Sequence, residues 1–322
     1  MVTANAWNGR KVLITGATGF LGRHVSGVLV QEKLDVCVCA HDAEARNDSR
    51  FYRLDLCNRD SVFRLFDNMR PEAVVHLAAA GVTRSDMPLS QLLEVNVIGT
   101  ENLLAAMAEF ACDAPIVLAG TAYEYRAQSR PLREEDALLP TSAYAVSKSA
   151  AGLCALFYGQ ELPITLLRLF NTYGPGEPPE RLLPYMVSCA REGRSIDLTG
   201  CEQVRDFTYV TDIARAFWLA LKSPPPTGRL RCLNVGSGRS MVLKQFVNIA
   251  VQVLRENGFF PKVMFGARPY RPDDPMYCVA DTTRVSEELG FRTVVDLEDG
   301  IRRTVLALLS DPKALIKGHM TG

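Results

Sequence analysis

A glycine-rich turn near the N-terminus constrains the fold more than any other stretch of the chain. Residues 11–15 (KVLIT) are an apolar run typical of a strand buried on both faces, and a helical apolar pattern covers residues 20–31. The segment GATGFLG joins them. In this context the spacing indicates a dinucleotide site: Gly16 permits a tight turn, Gly19 lets a pyrophosphate approach the backbone, and Gly22 lets the helix lie close to the sheet. The alternative is that the glycines only turn a strand into a helix.

The first half of the chain alternates strand and helix signals, which predicts an α/β fold with a doubly wound, Rossmann-like parallel sheet. The second half has longer loops and more proline, so we expect a smaller, interwoven α/β C-terminal lobe with the active site in the cleft. Residues 1–170, with 207–237 returning to them, are predicted to bind the dinucleotide, and 171–206 with 238–322 to bind the substrate. Predicted strands cover residues 11–15, 35–40, 73–78, 115–119 and 164–169, and predicted helices cover residues 20–31, 60–69, 88–110, 142–159, 182–192, 212–222, 243–256 and 297–309.

The segment YAVSK places a tyrosine and a lysine on one face of a predicted helix. Tyr144 and Lys148 are four residues apart, so their side chains would lie one above the other. A free phenol has a pKa of about 10, and bringing it to about 7 takes roughly 4 kcal/mol. The Lys148 ammonium would favour the phenolate and lower this pKa, with help from a cofactor cation. The alternative is an exposed helical pair with no chemical role.

Charge and cysteine content exclude several classes of protein. The 322 residues include 36 basic and 36 acidic side chains, so charge alone indicates neither a nucleic-acid nor a membrane-surface partner. No apolar run approaches the roughly 18 residues of a membrane span, and the first residues lack the core of a signal peptide. The nine cysteines form no C-x-x-C pair, and the four histidines have no metal-ligand spacing. We therefore expect a cytoplasmic protein without a metal site.

Further motifs occur in an order that resembles one enzyme family. They are VVHLAAAG, NVIGTENLL, RLFNTYGPG, VRDFTYVTDIARAFWLAL and RPDD, in addition to the glycine turn and YAVSK. With them, nearly the whole chain resembles the extended short-chain dehydrogenase/reductases of the NAD-dependent epimerase/dehydratase family. The segments AGTAYEY and PTSAYAVSK are most similar to the GDP-4-keto-6-deoxymannose reductases and related nucleotide-sugar 4-ketoreductases. The resemblance implies a nicotinamide cofactor and a nucleotide-sugar substrate.

The resemblance also implies roles for individual residues. Thr121 would hydrogen-bond the reacting sugar oxygen, Tyr144 would pass the proton, and Lys148 would hold the nicotinamide ribose. The residues implied in cofactor binding are Gly16, Thr18, Gly19, Phe20, Leu21, Gly22, His41, Arg46, Asp55, Leu56, Leu77, Ala78, Ala79, Asn96, Tyr144 and Lys148. The residues implied in substrate binding are Thr83, Thr121, Ala122, Tyr123, Asn171, Leu183, Arg205 and Arg271.

Some of these roles have open alternatives. Arg205 and Arg271 match positions that contact the diphosphate, where a guanidinium fork suits phosphate oxygens. Arg205 could instead pair with Asp206 or Asp212, and Arg271 could be a loop arginine in water. His76 follows a predicted strand and is expected to be structural rather than catalytic.

The end of the second predicted strand departs from the family pattern. A carboxylate there normally accepts hydrogen bonds from the adenosine ribose, but the position falls on Ala40. Its absence would remove a charge that repels a 2′-phosphate, which Arg23, Arg46 or Arg50 could bind. We therefore expect NADP(H), with NAD(H) as the alternative if Asp42 takes the place of the missing carboxylate.

Two further departures follow Thr121. Sugar 4,6-dehydratases place Asp-Glu or Glu directly after the active-site threonine, whereas this chain has Ala122 and Tyr123. Glu124 comes one residue later, and in an extended segment its side chain would face the opposite way. Dehydration is therefore not expected, although a modified site using Glu124 stays open. Arg126 replaces the glycine of most relatives and would crowd or charge the sugar pocket.

These observations predict an enzyme that reduces the 4-keto group of an NDP-4-keto-6-deoxyhexose, with Tyr144 as general acid. Three alternatives remain: an NDP-sugar epimerase with tightly bound NAD, a modified NDP-sugar dehydratase, and a binding protein that has lost catalysis. The resemblance also implies a homodimer formed through the helices predicted at residues 88–110 and 142–159. Neither the nucleotide nor the sugar follows from the sequence.

Overall fold

The computed structural model describes residues 4–40, 50–82 and 87–311. Its helices are α1 (Phe20–Gln31), α2 (Arg59–Met69), α3 (Leu89–Leu93), α4 (Gly99–Phe110), α5 (Ala143–Tyr158), α6 (Leu182–Arg191), α7 (Val210–Lys222), α8 (Leu243–Glu256), α9 (Thr283–Leu289) and α10 (Leu297–Ser310). Its strands are β1 (Lys11–Thr15), β2 (Asp35–Ala40), β3 (Phe51–Arg53), β4 (Ala73–His76), β5 (Ile116–Thr121), β6 (Ile164–Leu169), β7 (Asn171–Tyr173), β8 (Ile196–Asp197), β9 (Val204–Arg205), β10 (Phe207–Tyr209), β11 (Arg231–Val235), β12 (Met241–Val242), β13 (Val263–Met264) and β14 (Tyr277–Cys278). Three shorter turns are the 3₁₀ turns Ala4–Trp7 and Ala122–Glu124 and the π turn Glu94–Ile98.

Seven of the strands form one parallel sheet in the order β11-β6-β5-β4-β1-β2-β3. Strand β1 lies inside the sheet and pairs in parallel with β2 on one side and with β4 on the other. The chain winds outward from β1 to β3 and then continues from β4 on the opposite side, so the winding direction reverses between β1 and β4. This confirms the predicted doubly wound sheet, and such a switch point is where open α/β sheets bind ligands.

The apolar sequence of β1 follows from its burial on both faces of the sheet. Val12 and Ile14 belong to a core covered by α1, α7 and α9, whereas Leu13 belongs to the opposite core under α2, α4 and α5. Successive side chains of a strand point to opposite faces, so a strand between two helical layers is apolar at every position. The largest buried side chains include Phe217 in the first core and Phe66 in the second.

A third core forms the C-terminal lobe and joins α6, α8 and α10. Its centre is aromatic: the Phe207 ring stacks on Phe246 at 4.0 Å between centroids, and Tyr173 meets Phe246 edge-on at 5.4 Å. Strands β7 and β10 pair in parallel beside this cluster. Each lies where the chain passes between the large sheet and the C-terminal lobe, so their pairing holds these two connections together. The domain boundaries drawn from the sequence stay a prediction.

Each predicted helix and strand lies within two residues of an observed one, but β11 and α9 were not predicted and local irregularities differ. The helix predicted over residues 88–110 is interrupted by the π turn Glu94–Ile98. Residues Ala122–Glu124 form a 3₁₀ turn and not the extended segment that was expected. Strands of two or three residues were missed because they are too short to show a period. Within the described ranges no helix is long and apolar enough to cross a membrane.

Candidate active site

A cavity of about 1400 Å³ opens at the carboxyl ends of β1, β5 and β6. One wall comes from the glycine turn, the turn after Thr121 and the start of α5. The other wall comes from β7 and from residues 271–278 of the C-terminal lobe. Typical small-ligand pockets hold about 300–1,000 Å³, so this cavity has room for a cofactor and a second ligand together.

The glycine turn is shaped for a dinucleotide phosphate. Gly16 has a φ of 70°, and a Cβ there would lie 2.6 Å from the Ala78 amide nitrogen. A Cβ on Gly22 would collide with the Gly16 carbonyl, so α1 can begin this close to β1 only with glycine. Gly19 precedes α1, and no side chain of the described residues caps this helix end. Uncapped amides at the positive end of a helix suit a pyrophosphate, so the residues present fit the cofactor implied by the sequence.

A buried hydrogen-bond chain links the end of β1 to α4 through His76. The Thr100 hydroxyl donates its single hydrogen to the Asn96 carbonyl (2.6 Å), so it can only accept from His76 Nε2 (2.9 Å). His76 Nδ1 then accepts from the Thr15 hydroxyl at 2.7 Å. Burial, aided by the nearby Lys148 charge, lowers the pKa of His76 to about 3. His76 is therefore a neutral structural residue, as the sequence indicates.

Asn96, on the π turn, joins the loop after β4 to α5. Its Oδ1 accepts from the Ala80 amide (2.7 Å), and its Nδ2 donates to the Ala80 carbonyl (3.1 Å) and to Ser147 Oγ (2.9 Å). The Ser147 hydroxyl donates in turn to the Tyr144 carbonyl at 2.8 Å. π turns occur frequently at functional sites. Here the turn directs one amide side chain to two segments that border the cavity.

Tyr144 and Lys148 both line the cavity from the first turns of α5. The helix begins after Ser142, whose hydroxyl accepts from the Ala145 amide at 3.2 Å. Burial raises the pKa of the Tyr144 phenol, the Glu124 charge raises it further, and only Arg181 among the main influences lowers it. Burial lowers the pKa of Lys148. In the chain without a cofactor, Lys148 therefore does not produce the predicted lowering of the Tyr144 pKa.

The turn that carries Thr121 is held by a buried ion pair. Glu124 Oε1 accepts from the Thr121 amide (2.8 Å), and Glu124 Oε2 accepts from Arg168 Nε (2.9 Å). Arg168 also donates to the Tyr125 hydroxyl at 2.9 Å. Because both carboxylate oxygens are engaged and Glu124 is fully buried, this carboxylate fixes the turn and does not reach the cavity.

The structure brings most of the predicted site residues to one cavity. Those that line it are Gly16, Gly19, Phe20, Leu21, Gly22, Leu77, Ala79, Thr121, Ala122, Tyr123, Tyr144, Lys148, Asn171 and Arg271. Those that do not line it are Thr18, Asp55, Leu56, Ala78, Asn96, Leu183 and Arg205. His41, Arg46 and Thr83, together with Asp42, lie outside the described residues.

Two predicted substrate contacts occupy other positions. The Leu183 side chain is buried in the C-terminal core, because α6 turns this residue toward α8 and α10 and away from the cavity. Arg205 is also buried and pairs with Asp274, at 2.5 Å, and not with either of the aspartates considered from the sequence. Gln203 donates to the other oxygen of Asp274 at 2.8 Å. The loop of residues 271–278 is thus tied to the lobe beneath it.

Arg181 lines the cavity but is not among the site residues predicted from the sequence. It precedes α6, pairs with Glu177 at 3.3 Å and donates to the Thr172 carbonyl at 2.9 Å. Its charge lowers the pKa of Tyr144, so it acts on the reacting end of the site. The motif RLFNTYGPG ends just before it, which was the available signal.

The sequence matches the NAD dependent epimerase/dehydratase family over residues 12–236. The chain belongs to this family. A UDP-glucuronate 4-epimerase of Thermodesulfobacterium geofontis is 29% identical over 314 residues, covering 91% of this chain and 94% of that protein. A dTDP-glucose 4,6-dehydratase of Streptomyces griseus is 31% identical over 318 residues, covering 91% and 92%.

The family fold is shared with solved structures. The UDP-glucose 4-epimerase of Thermus thermophilus in complex with NAD superimposes with a TM-score of 0.81 at 29% identity, covering 93% of this chain and 99% of that one. These relatives are epimerases and a dehydratase, so the predicted likeness to 4-ketoreductases in particular is not supported by them. Among the described residues there is no cluster of side chains that could hold a metal ion.

Proposed function

We propose that the protein is an NAD-dependent nucleotide-sugar 4-epimerase. The observation that carries the proposal is the Thr121 turn: a threonine, a tyrosine and a lysine face the cavity, while the turn's one carboxylate is locked to Arg168. Such a site can exchange a proton with a sugar hydroxyl. Among the described residues it offers no free carboxylate beside Thr121 for a second proton transfer.

Each residue has a defined task in this reaction. Bound NAD, held by the glycine turn, would accept a hydride from the sugar carbon and return it. Tyr144 would take the proton of the 4-hydroxyl as the carbonyl forms and give it back when the opposite face is reduced. Thr121 would hold the same oxygen, and Lys148 would hold the ribose beside the phenol. Holding the sugar and the cofactor in the reactive geometry would supply most of the remaining rate acceleration.

The same turn argues against dehydration. Expelling water from a hexose requires an acid and a base at the neighbouring carbons in addition to the residues that oxidise the sugar. The positions after Thr121 carry Ala122 and Tyr123, and Glu124 is occupied by the Thr121 amide and by Arg168. Among the described residues, the carboxylates that line the cavity are Asp273 and Asp274, and both belong to the opposite wall. We therefore place the chain with the epimerases and not with the dehydratases among its relatives.

A 4-ketoreductase with a dissociable coenzyme is the second candidate, and one observation favours it. Strand β2 ends at Ala40, so the end of the strand carries no carboxylate for the adenosine ribose. That would suit NADP(H). The Thermus thermophilus relative, by contrast, was solved in complex with NAD, and for that reason we propose NAD as the cofactor of this protein.

The protein as purified distinguishes the two candidates. It should retain stoichiometric NAD, and with no added coenzyme it should convert UDP-glucose or UDP-glucuronate to the C4 epimer, followed by NMR. We choose these substrates because the related epimerases act on them. An empty protein that oxidises NADPH only in the presence of a 4-keto sugar would replace the epimerase by the ketoreductase.

We also propose that the enzyme works in the reducing cytosol. All nine cysteines are free thiols, and several of them, such as Cys39 and Cys278, are buried with their pKa raised to about 12 by burial. Thiols of this kind behave as small apolar side chains. Extracellular proteins tend instead to pair their cysteines.

A further inference from the structure

Arg126 is a cation of the cavity wall whose side chain has no partner in the part of the chain that the structure describes. It is exposed, lines the cavity, and makes no side-chain hydrogen bond or ion pair with the described residues. Its backbone is nevertheless fixed, because its amide donates to the Ala137 carbonyl at 2.9 Å. The family resemblance implies glycine at this position, so Arg126 is a departure that adds a charge to the wall.

The local geometry turns Arg126 toward the ligand. Tyr125 has extended backbone angles (φ −75°, ψ 151°), and its hydroxyl donates to Asn234 in the buried core at 2.7 Å. Neighbouring side chains in extended backbone point to opposite sides. The Tyr125 hydroxyl is thus held in the core, whereas the Arg126 side chain is exposed and lines the cavity, five residues after Thr121 and on the same wall.

The arginines closest to Arg126 in role are already paired with carboxylates of the chain. Arg168, Arg181 and Arg205 each pair with a carboxylate. Arg271, the remaining cation of the opposite wall, belongs to the loop predicted to contact the diphosphate. Arg126 lies instead with Thr121, which would hold the reacting sugar oxygen. Its charge is therefore available to the sugar and not to the diphosphate.

We infer that Arg126 is a specificity residue that binds a carboxylate on the sugar, so that the enzyme acts on a nucleotide-linked hexuronic acid. This inference rests on the proposed epimerase function. A guanidinium fork binds a carboxylate through two parallel hydrogen bonds, which a neutral hydroxymethyl group cannot reproduce. A solvated arginine without a ligand role is the competing explanation.

The test is calorimetric binding to the NAD-loaded protein. UDP-glucuronate, UDP-glucose and UDP are titrated into the wild type, Arg126→Gln and Arg126→Lys. Arg126→Gln should raise the Kd for UDP-glucuronate at least about tenfold more than the Kd for UDP-glucose, the range expected for a lost charge-assisted hydrogen bond. Arg126→Lys should recover part of the difference, because it keeps the charge without the fork.

Arg130→Gln is the matched control. Arg130 lies four residues further along the same loop, pairs with Asp136 at 2.6 Å and does not line the cavity. It removes the same charge from the same loop, so it should leave the ratio of the two Kd values unchanged. A ratio that changes equally in both variants would mean a general electrostatic effect and would overturn the inference.

The remaining outcomes are equally decisive. If Arg126→Gln weakens UDP, UDP-glucose and UDP-glucuronate alike, Arg126 binds the nucleotide. If it weakens none, the side chain is solvated. Both results reject a carboxylate site. Because binding is measured without turnover, an Arg126-dependent preference for UDP-glucuronate in a protein that epimerises nothing would reject the epimerase function and leave the carboxylate site standing.

Discussion

Tyr144 carries the proposed chemistry, yet its surroundings in the chain keep it protonated. Burial and the Glu124 charge both raise the phenol pKa, and Arg181 opposes them. A phenolate is needed to accept the proton of the sugar hydroxyl. The site is therefore complete only when ligands add their own charges to the cavity. Residues whose charge changes the pKa of Tyr144, such as Arg181, can therefore test its role as well as Tyr144 itself.

Replacing Tyr144 by Phe should reduce kcat by about 10²–10⁴-fold, because the variant lacks the group that exchanges the proton. The glycine turn is proposed to hold NAD, so the Kd for NAD, measured by fluorescence titration of NAD-free protein, should change little. Tyr158→Phe is the control: Tyr158 lies on the same helix but donates to Glu101 on the outer surface. Turnover by Tyr144→Phe close to that of Tyr158→Phe would contradict the assigned role.

Replacing Arg181 by Gln should move the acid limb of the kcat/KM profile to higher pH. The change removes the positive charge that lowers the pKa of Tyr144, so the phenolate forms only at higher pH. Arg181→Lys keeps the charge and should restore the wild-type limb, which separates this effect from lost contacts to Glu177. An acid limb that stays in place in Arg181→Gln would mean that Tyr144 does not control it.

At the scale of elements, buried polar contacts decide where the backbone departs from regular structure. Asn96 bonds to the loop after β4 and to α5 from a π turn, and Glu124 closes the 3₁₀ turn after β5. Hydrophobic periodicity gave the long helices and central strands closely, because each buries one stripe or both faces. Hydrophobic periodicity could not predict these two turns, because each is held by a polar side chain whose partners include residues distant in the sequence.

The buried His76 should make the fold sensitive to acid. Unfolded histidine takes up a proton below a pH of about 6.5, whereas folded His76 resists until about 3. Between these values only the unfolded state binds the proton, so stability falls as the pH drops. The contribution lost by pH 4.5 is about 3 kcal/mol.

Urea unfolding between pH 7 and pH 4.5 measures this loss. His76→Gln removes the titrating group, so its free energy of unfolding, although lower at pH 7, should fall less steeply with acid than that of the wild type. His24→Gln is the control, because it removes a histidine that is bonded to the Pro175 carbonyl and lies outside the buried Thr15–His76–Thr100 chain. Parallel curves for His76→Gln and the wild type would show that His76 does not cause the acid sensitivity.

At the scale of the whole molecule, the sequence predicted those parts of the site that lie in one continuous motif. It did not predict the parts that form from residues far apart in the chain. The glycine turn and the Tyr144–Lys148 pair each lie within one strand–helix unit, and their positions follow from sequence spacing. The pairing of Arg205 with Asp274 joins residues far apart in the chain. Sequence therefore indicated the residue types of the C-terminal wall, but not which of them face the cavity and which hold the wall together.

The outer face of α5 indicates how two copies would meet. Leu153, Leu156 and Phe157 are 63%, 51% and 74% exposed, and their spacing puts them on one helix face. Ile98, on the adjacent π turn, is 50% exposed. Contiguous apolar patches of this kind mark interaction surfaces. We propose a homodimer through this face, since the patch lies on the two helices implied by the family resemblance.

Phe157→Asp combined with Leu153→Asp should convert the dimer to a monomer in light scattering at micromolar concentration, because each dimer would bury four new charges in an apolar interface. Phe260→Asp is the control, since Phe260 is 81% exposed on the C-terminal lobe, away from α5. It adds a charge in place of an equally exposed ring and should leave the mass unchanged. A wild-type protein that is already monomeric, or a double variant that keeps the mass of a dimer, would exclude α5 as the interface. Neither substitution lies in the cavity, so a monomer that still binds NAD would further show that the site is complete within one chain.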